Sequence, residues 1–291
     1  MSEVAIRSPH GPAAGTFLNP LTMASGLWRM RDLIWQFASR ELLERHKGAM
    51  LGVVWNVLSP LLTLGVYTFV FGFVLNVRWE SRGGNAWEGM NPHLSFALIL
   101  FCGHAFAHLF TESVSRAPLL IAARPNLVRK VVFPLEILPV SVLTAGMVTL
   151  GVSAAILLVL TLSLTGRIPA TAPLTLIPII PLLMLSLGCS WYLASLGVFL
   201  RDIRNVVQVV VHMITFMSAV FYPIERVPEA WRHLVYYNPL AVIIESGRRT
   251  LLWGEMPDWN RLAWVTLLAF VVMQLGYVWF MRTKRGMADV V

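Results

Sequence analysis

Charge is what this chain of 291 residues has least of. Only 13% of its residues are Asp, Glu, Lys or Arg, against about 25% in soluble domains, which excludes an ordinary water-soluble globule. Cysteine is scarce too: Cys102 and Cys189 are the only two, and both sit inside apolar runs. They form no disulfide framework, and two free structural thiols are the expectation. Phosphate-binding loops of the G-x-x-x-x-G-K-S/T kind are missing, as are G-x-G-x-x-G and H-E-x-x-H. Any nucleotide this protein uses must then be bound by another chain. The first residues hold no apolar core of a cleaved signal peptide, so 1–26 reads as a flexible tail.

Apolar residues fill the space that charge leaves. The chain is 57% hydrophobic with 11 Trp, and its mean hydropathy is +0.68. A basic cluster, Arg45, His46 and Lys47, stops at Gly48, and no charged side chain follows until after Leu75. About 20 apolar residues cross the hydrocarbon core of a bilayer, so the chain enters a membrane here. The pattern predicts an all-α integral membrane protein with spans at 51–75, 94–115, 135–164, 174–200, 206–221 and 262–280, within a single transmembrane domain over 49–291. The net charge of +8 matters less than where it sits, so nucleic acid is not the expected partner. Arg29, Arg31, Arg40, Arg45 and Lys47 fall on one side, with Arg116, Arg124, Arg129 and Lys130, with Arg201 and Arg204, and with Arg282, Lys284 and Arg285. The positive-inside rule makes that side, and both termini, cytoplasmic.

Three pieces do not span. Over 27–48, Leu27, Met30, Ile34 and Phe37 recur at helical spacing opposite Arg29, Asp32, Gln36 and Arg40, which predicts an amphipathic interface helix or plain membrane anchor. Over 124–133, Pro125 and Pro134 bracket a short basic helix, seeking either a partner surface or interfacial packing. Over 222–261, Pro228 with Glu229 opens one helix, and Asn238 with Pro239 opens a second that ends near Gly254. Each is about half a bilayer long, which predicts a re-entrant hairpin from the outer face, or else a subdomain lying on the membrane.

Two constellations carry chemistry. His104, His108 and Glu112 follow one another at four-residue intervals down the second span. Ionisable groups inside a membrane are functional candidates, as a metal or haem site or as hydrogen-bonded helix contacts. Aromatic side chains gather on the first span (Trp55, Tyr67, Phe71) and the fifth (Phe216, Phe221, Tyr222). Flat faces with polar tips suit sugar rings, and equally suit packing.

Several strings in order resemble the membrane subunit of bacterial ABC exporters of long polysaccharides: O-antigen, capsule and teichoic-acid exporters. They are Arg45, Lys47, Gly48, Leu51, Gly52, Trp55, Leu58, Pro60 and Leu61; Val131, Phe133, Pro134, Leu135, Glu136 and Pro139; Leu200-Arg201-Asp202-Ile203; Phe221-Tyr222-Pro223; Tyr237-Asn238-Pro239-Leu240; and 285–290. His46, Ala219 and Met287 depart from a usual aromatic, Pro and Phe. The resemblance covers the chain from about Leu33 onward. It implies six spans with an interface helix, a coupling helix at 124–133 and an outer hairpin. It implies a homodimer in the bacterial inner membrane with two separate ATP-binding subunits, which would hold ATP and Mg, so that this chain has no cofactor, metal or catalytic residue of its own. The substrate implied is a glycan on an undecaprenyl pyrophosphate carrier. The roles implied are ATPase coupling for Arg124, Asn126, Arg129, Lys130, Arg201 and Asp202; a pyrophosphate entrance at Arg40, Arg45 and Lys47; a channel lined by Trp55, Tyr67, Phe71, Phe216, Phe221 and Tyr222; and an outer gate of Trp231, Tyr237, Asn238 and Pro239. The competing readings are a permease for a drug or small lipid, and a membrane-embedded metal or haem enzyme using His104 and His108.

Overall fold

A computed structural model describes residues 19–45, 52–75, 79, 91–129, 133–200 and 202–290. Lys47, Lys130 and Arg201 lie outside them, as does the side chain of Arg129. The described chain is helical, with no strand. Five helical stretches are long and apolar enough to cross a membrane: Trp55–Val74, Pro92–Leu119, Ile137–Thr165, Ala172–Phe199 and Trp259–Lys284. The fifth expected span differs. It is a helix of 14 residues, α8 (Ile203–Phe216), about 21 Å long against the ~30 Å of a hydrocarbon core.

The amino-terminal part also differs from the pattern. Residues 20–26 belong to a helix, α1 (Pro20–Arg29), which opens on Asn19, whose side chain accepts from the backbone N–H of Leu21. A break at Met30 separates it from α2 (Arg31–Glu44). The inward face of α2 is Ile34, Ala38 and Glu41, all buried. Trp28 and Trp35 point outward at 71% and 58% exposure. The inward face therefore includes the expected stripe, with Leu27 and Phe37 packed on the core and Arg29, Asp32, Gln36 and Arg40 exposed, and Glu41 extends it as a carboxylate that finds cations.

The first long stretch is α3 (Trp55–Tyr67), which holds Pro60 and widens into π-helical turns at Thr68–Val74. Then come α4 (Pro92–Arg116), α5 (Pro125–Arg129), α6 (Ile137–Thr165) and α7 (Leu176–Phe199). The expected helix over 124–133 is thus shorter: Phe133 and Pro134 are not helical, and Phe133 packs on Phe37 with ring centroids 5.2 Å apart. After α8, the two short helices expected from Glu229 and from Asn238-Pro239 are α9 (Glu229–Tyr236) and α10 (Pro239–Arg248), a helical hairpin. The second arm ends at Gly254 with φ 75°, a left-handed stop suited to glycine. The last helix is α11 (Trp259–Val290).

Burial is uneven. The central helix is α4, which packs against α3, α6, α7, α8 and α10. In its most apolar stretch 78% of residues are buried, but only 6% are in the α3 stretch. The most extensive pairing is α7 with α11, and small residues make it possible. A Cβ on Gly188 would stand 2.6 Å from the Met273 backbone, and one on Gly276 would stand 2.2 Å from the Gly188 carbonyl. Backbones in this contact gain van der Waals packing that lipid cannot match. Gly188→Val should therefore cost about 1–3 kcal/mol through overpacking and lower the melting temperature in detergent. Gly151→Ala, where a Cβ meets nothing within 4 Å, should leave the melting temperature unchanged.

Candidate functional site

The carboxyl-terminal end of α8 poses a hydrogen-bonding problem. A helix that stops short leaves its last carbonyls without intrahelical donors, and hydrocarbon supplies none. The turn that follows serves three of them: Met217 N donates to Met213 O, Ser218 N to Thr215 O and Ser218 Oγ to Ile214 O, and the hairpin supplies donors to the carbonyls of that turn. Asn238 caps α10 through its carbonyl oxygen, which accepts from the backbone N–H of Leu240 at 3.0 Å. Its Nδ2 donates to Met217 O at 3.3 Å and to Ser218 Oγ at 3.0 Å. Arg248 is 1% exposed. Its Nη1 donates to Ala219 O and its Nη2 to Val220 O, both at 2.9 Å, and its Nε donates to Ile99 O of α4 at 3.1 Å. Trp79 covers the guanidinium, ring centroid to Cζ 4.4 Å. Gly103 makes the room: a Cβ there would lie 2.3 Å from Nη2. Ala219 sits at φ 53°, which proline's ring, locked near −65°, cannot adopt.

Next to this knot lies the aromatic group. Tyr67 and Phe71 of the first stretch each stand 5.4 Å from Phe221, the latter stacked, and Phe216 stands 5.1 Å from it. Tyr67 also meets His104 edge-on at 5.3 Å. Phe221 is buried, while Phe216 is 57% exposed. Tyr222 packs both on the core that includes Phe221 and on the small cluster of Ala219, Val235 and Ala241 near α9. Trp55 is separate, in a cavity of about 200 Å³ that it lines with Asn56, Thr63, His104, His108 and Glu112. Of the other expected gate residues, Trp231 and Tyr237 are exposed, and Pro239 starts α10.

The expected entrance cations part company. Arg40 is exposed and 3.6 Å from Glu44. Arg45 turns into the bundle, 2.7 Å from Glu112 of α4 and donating to Thr149 Oγ1 of α6 at 3.1 Å. Burial pulls its pKa below the ordinary value, and the Glu112 charge opposes that. His108 Nδ1 lies 3.8 Å from Glu112. Among the described residues no three His, Cys, Asp or Glu side chains converge as a metal site. Of the expected coupling residues, Asn126 is exposed within α5, Asp202 is exposed at the start of α8, and Arg124 is bonded to Glu41.

Glu41 and Arg248 were not singled out by sequence reasoning. Arg248 had only a weak signal, since it stands among Glu245, Ser246, Arg249 and Thr250 within the stretch from Leu240 to Trp253. Removing it should strand three carbonyls. Arg248→Met should destabilise by about 3–5 kcal/mol, and Arg248→Lys should recover only part, since an ammonium lacks the planar fork. Arg249→Met, which removes a looser 3.8 Å pair with Glu245, should cost under ~1 kcal/mol. A wild-type melting temperature in Arg248→Met would contradict this assignment.

The arrangement has relatives. The chain is 25% identical over 276 residues to an O-antigen export system permease protein RfbA of Klebsiella pneumoniae, covering 93% of this chain and 99% of that protein. It is 27% identical over 251 residues to RfbA of Myxococcus xanthus, covering 85% and 90%. Polysialic acid transport protein KpsM of Escherichia coli is 22% identical over 251 residues, covering 85% and 92%. The sequence profile of the ABC-2 type transporters matches residues 32–252, three-quarters of the chain and every element from α2 to α10, so the protein is a member of the ABC-2 type transporter membrane family.

Proposed function

We propose that this chain is the membrane-spanning subunit of an ATP-driven exporter of polysaccharide. It moves a glycan of the O-antigen kind on an undecaprenyl pyrophosphate carrier out of the cytoplasm. Similarity along nearly the whole length of O-antigen export permeases supports the substrate class. The observation that carries the reading is the aromatic group of Tyr67, Phe71, Phe216 and Phe221, which joins α3 to the end of α8 beside an open apolar face.

That open face supports a pair of identical subunits. Val54, Val66, Phe69 and Phe73 of the first stretch are 58–61% exposed, and Val209, Met213 and Phe216 of α8 are 57–62% exposed. Two copies meeting along α3 and α8 would enclose a passage with aromatic walls. In this reading α8 and its hairpin together make the sixth crossing, both termini are cytoplasmic, and the hairpin closes the outer end. Two ATP-binding subunits, holding ATP and Mg, press on α5. Arg40 and Lys47 draw the carrier's pyrophosphate to the surface, worth about 1 kcal/mol per cation, while Arg45 is held back by Glu112. Sugar rings then slide over aromatic faces that hold each one weakly and tolerate many ring types.

Exposure separates passage from packing. Phe216→Ala removes an exposed ring, so the melting temperature should hold while surface glycan is lost or shortened. Phe221→Ala empties a buried position and should cost about 3–5 kcal/mol. Tyr67→Phe keeps the volume and should leave both nearly normal. Normal surface glycan in Phe216→Ala together with Phe71→Ala, at normal stability, would contradict an aromatic passage.

A further inference from the structure

The inward face of α2 carries two apolar side chains, Ile34 and Ala38, and then Glu41 at 4% exposure. A buried carboxylate is costly unless cations meet it. Two do, one on each oxygen. Oε1 accepts from Arg116 Nη2, at the end of α4. Oε2 accepts from Arg124 Nη2 at 3.3 Å, from the residue just before α5. Arg116 also lies 3.4 Å from Glu112, which lies 2.7 Å from Arg45. Arg124, Glu41, Arg116, Glu112 and Arg45 thus alternate in sign without a gap. The chain of charges runs from the edge of α5 to the end of α2, where the backbone leads on to α3. The Phe37–Phe133 contact fastens the same two segments on the far side of α5.

We infer that Glu41 is a positioning residue that locks α2 to the α4–α5 segment, so that displacement of α5 is carried into α2 and on to α3. This rests on the proposal that an ATP-binding subunit presses on α5. Well-packed apolar side chains at such a site would be as stable as the ion pairs or more so. What the charges add is one discrete arrangement joining three elements. The arrangement also occupies Arg124: its guanidinium holds Glu41 and Leu120 O, so its part in coupling is internal to this chain.

The test uses the full complex of this chain with its ATP-binding subunit in membranes, comparing Glu41→Gln, Arg124→Gln and the double variant. The readouts are subunit co-purification, ATP hydrolysis and glycan exported per ATP hydrolysed. Each single variant should retain the subunit and hydrolyse ATP, while glycan per ATP falls at least about fivefold, the low end of ordinary coupling between sites. The double variant should be no worse than either single. Unchanged glycan per ATP, or losses that multiply in the double, would overturn the inference. A second arm bridges Phe37→Cys and Phe133→Cys with a short bis-maleimide in the Glu41→Gln background. Restored glycan per ATP supports a fastening role, and no restoration in an intact complex overturns it. A wild-type chain that recruits no ATPase at all would overturn the proposed function instead, and this inference with it.

Discussion

A bilayer interior offers no water to charges or to carbonyls at helix ends, so each one that enters must be matched by the protein. The hairpin end of this molecule is organised around that constraint. Because α8 stops early, the carbonyls of Met217, Ala219 and Val220 need donors, and Asn238 and Arg248 provide them. Both donors come from the hairpin, so it cannot leave α8 without exposing three carbonyls and a guanidinium. The third Arg248 bond, to Ile99 O, ties the pair to α4. Hairpin, short helix and central helix therefore form one unit at this end.

The opposite end follows the same rule with full charges. Three cations, Arg45, Arg116 and Arg124, alternate with two carboxylates, Glu41 and Glu112, where α2, α4 and the approach to α5 meet. Between the two ends, α4 is wrapped by protein while α3 and α8 keep apolar faces open. Lipid tails satisfy such apolar faces as well as protein does, and the proposed pairing of two copies would use them.

Local chemistry was legible in the sequence. Charge-free runs marked the long helices, Asn238 and Pro239 marked the start of α10, Glu229 the start of α9, and Gly254 the stop. These signals act within a few residues, so a single sequence carries them. What escaped depends on residues far apart. The length of α8 is set by donors from the hairpin. The burial of Glu41 on the inward face of α2 is set by Arg116 and Arg124. The inward turn of Arg45 is set by Glu112 of α4, and nothing near Arg45 announces it. The early start of α1 was missed despite Asn19-Pro20, an ordinary opening signal, because the surrounding tail looked too polar. Of the candidate site, Tyr67, Phe71, Phe216 and Phe221 come together, while Trp55 lines a separate cavity because helical phase turns it from Tyr67.

Transfer of glycan across a sealed membrane tests the account most directly. Vesicles would carry this chain, its ATP-binding subunit and a lipid-linked glycan, and a glycosidase would report glycan on the side opposite the ATPase. The account predicts cleavage that requires ATP and both proteins, and that falls to background when this chain is omitted. Cleavage that is independent of ATP or of this chain would contradict it. So would a complex that moves a small lipid or drug under ATP while the glycan stays where it was loaded.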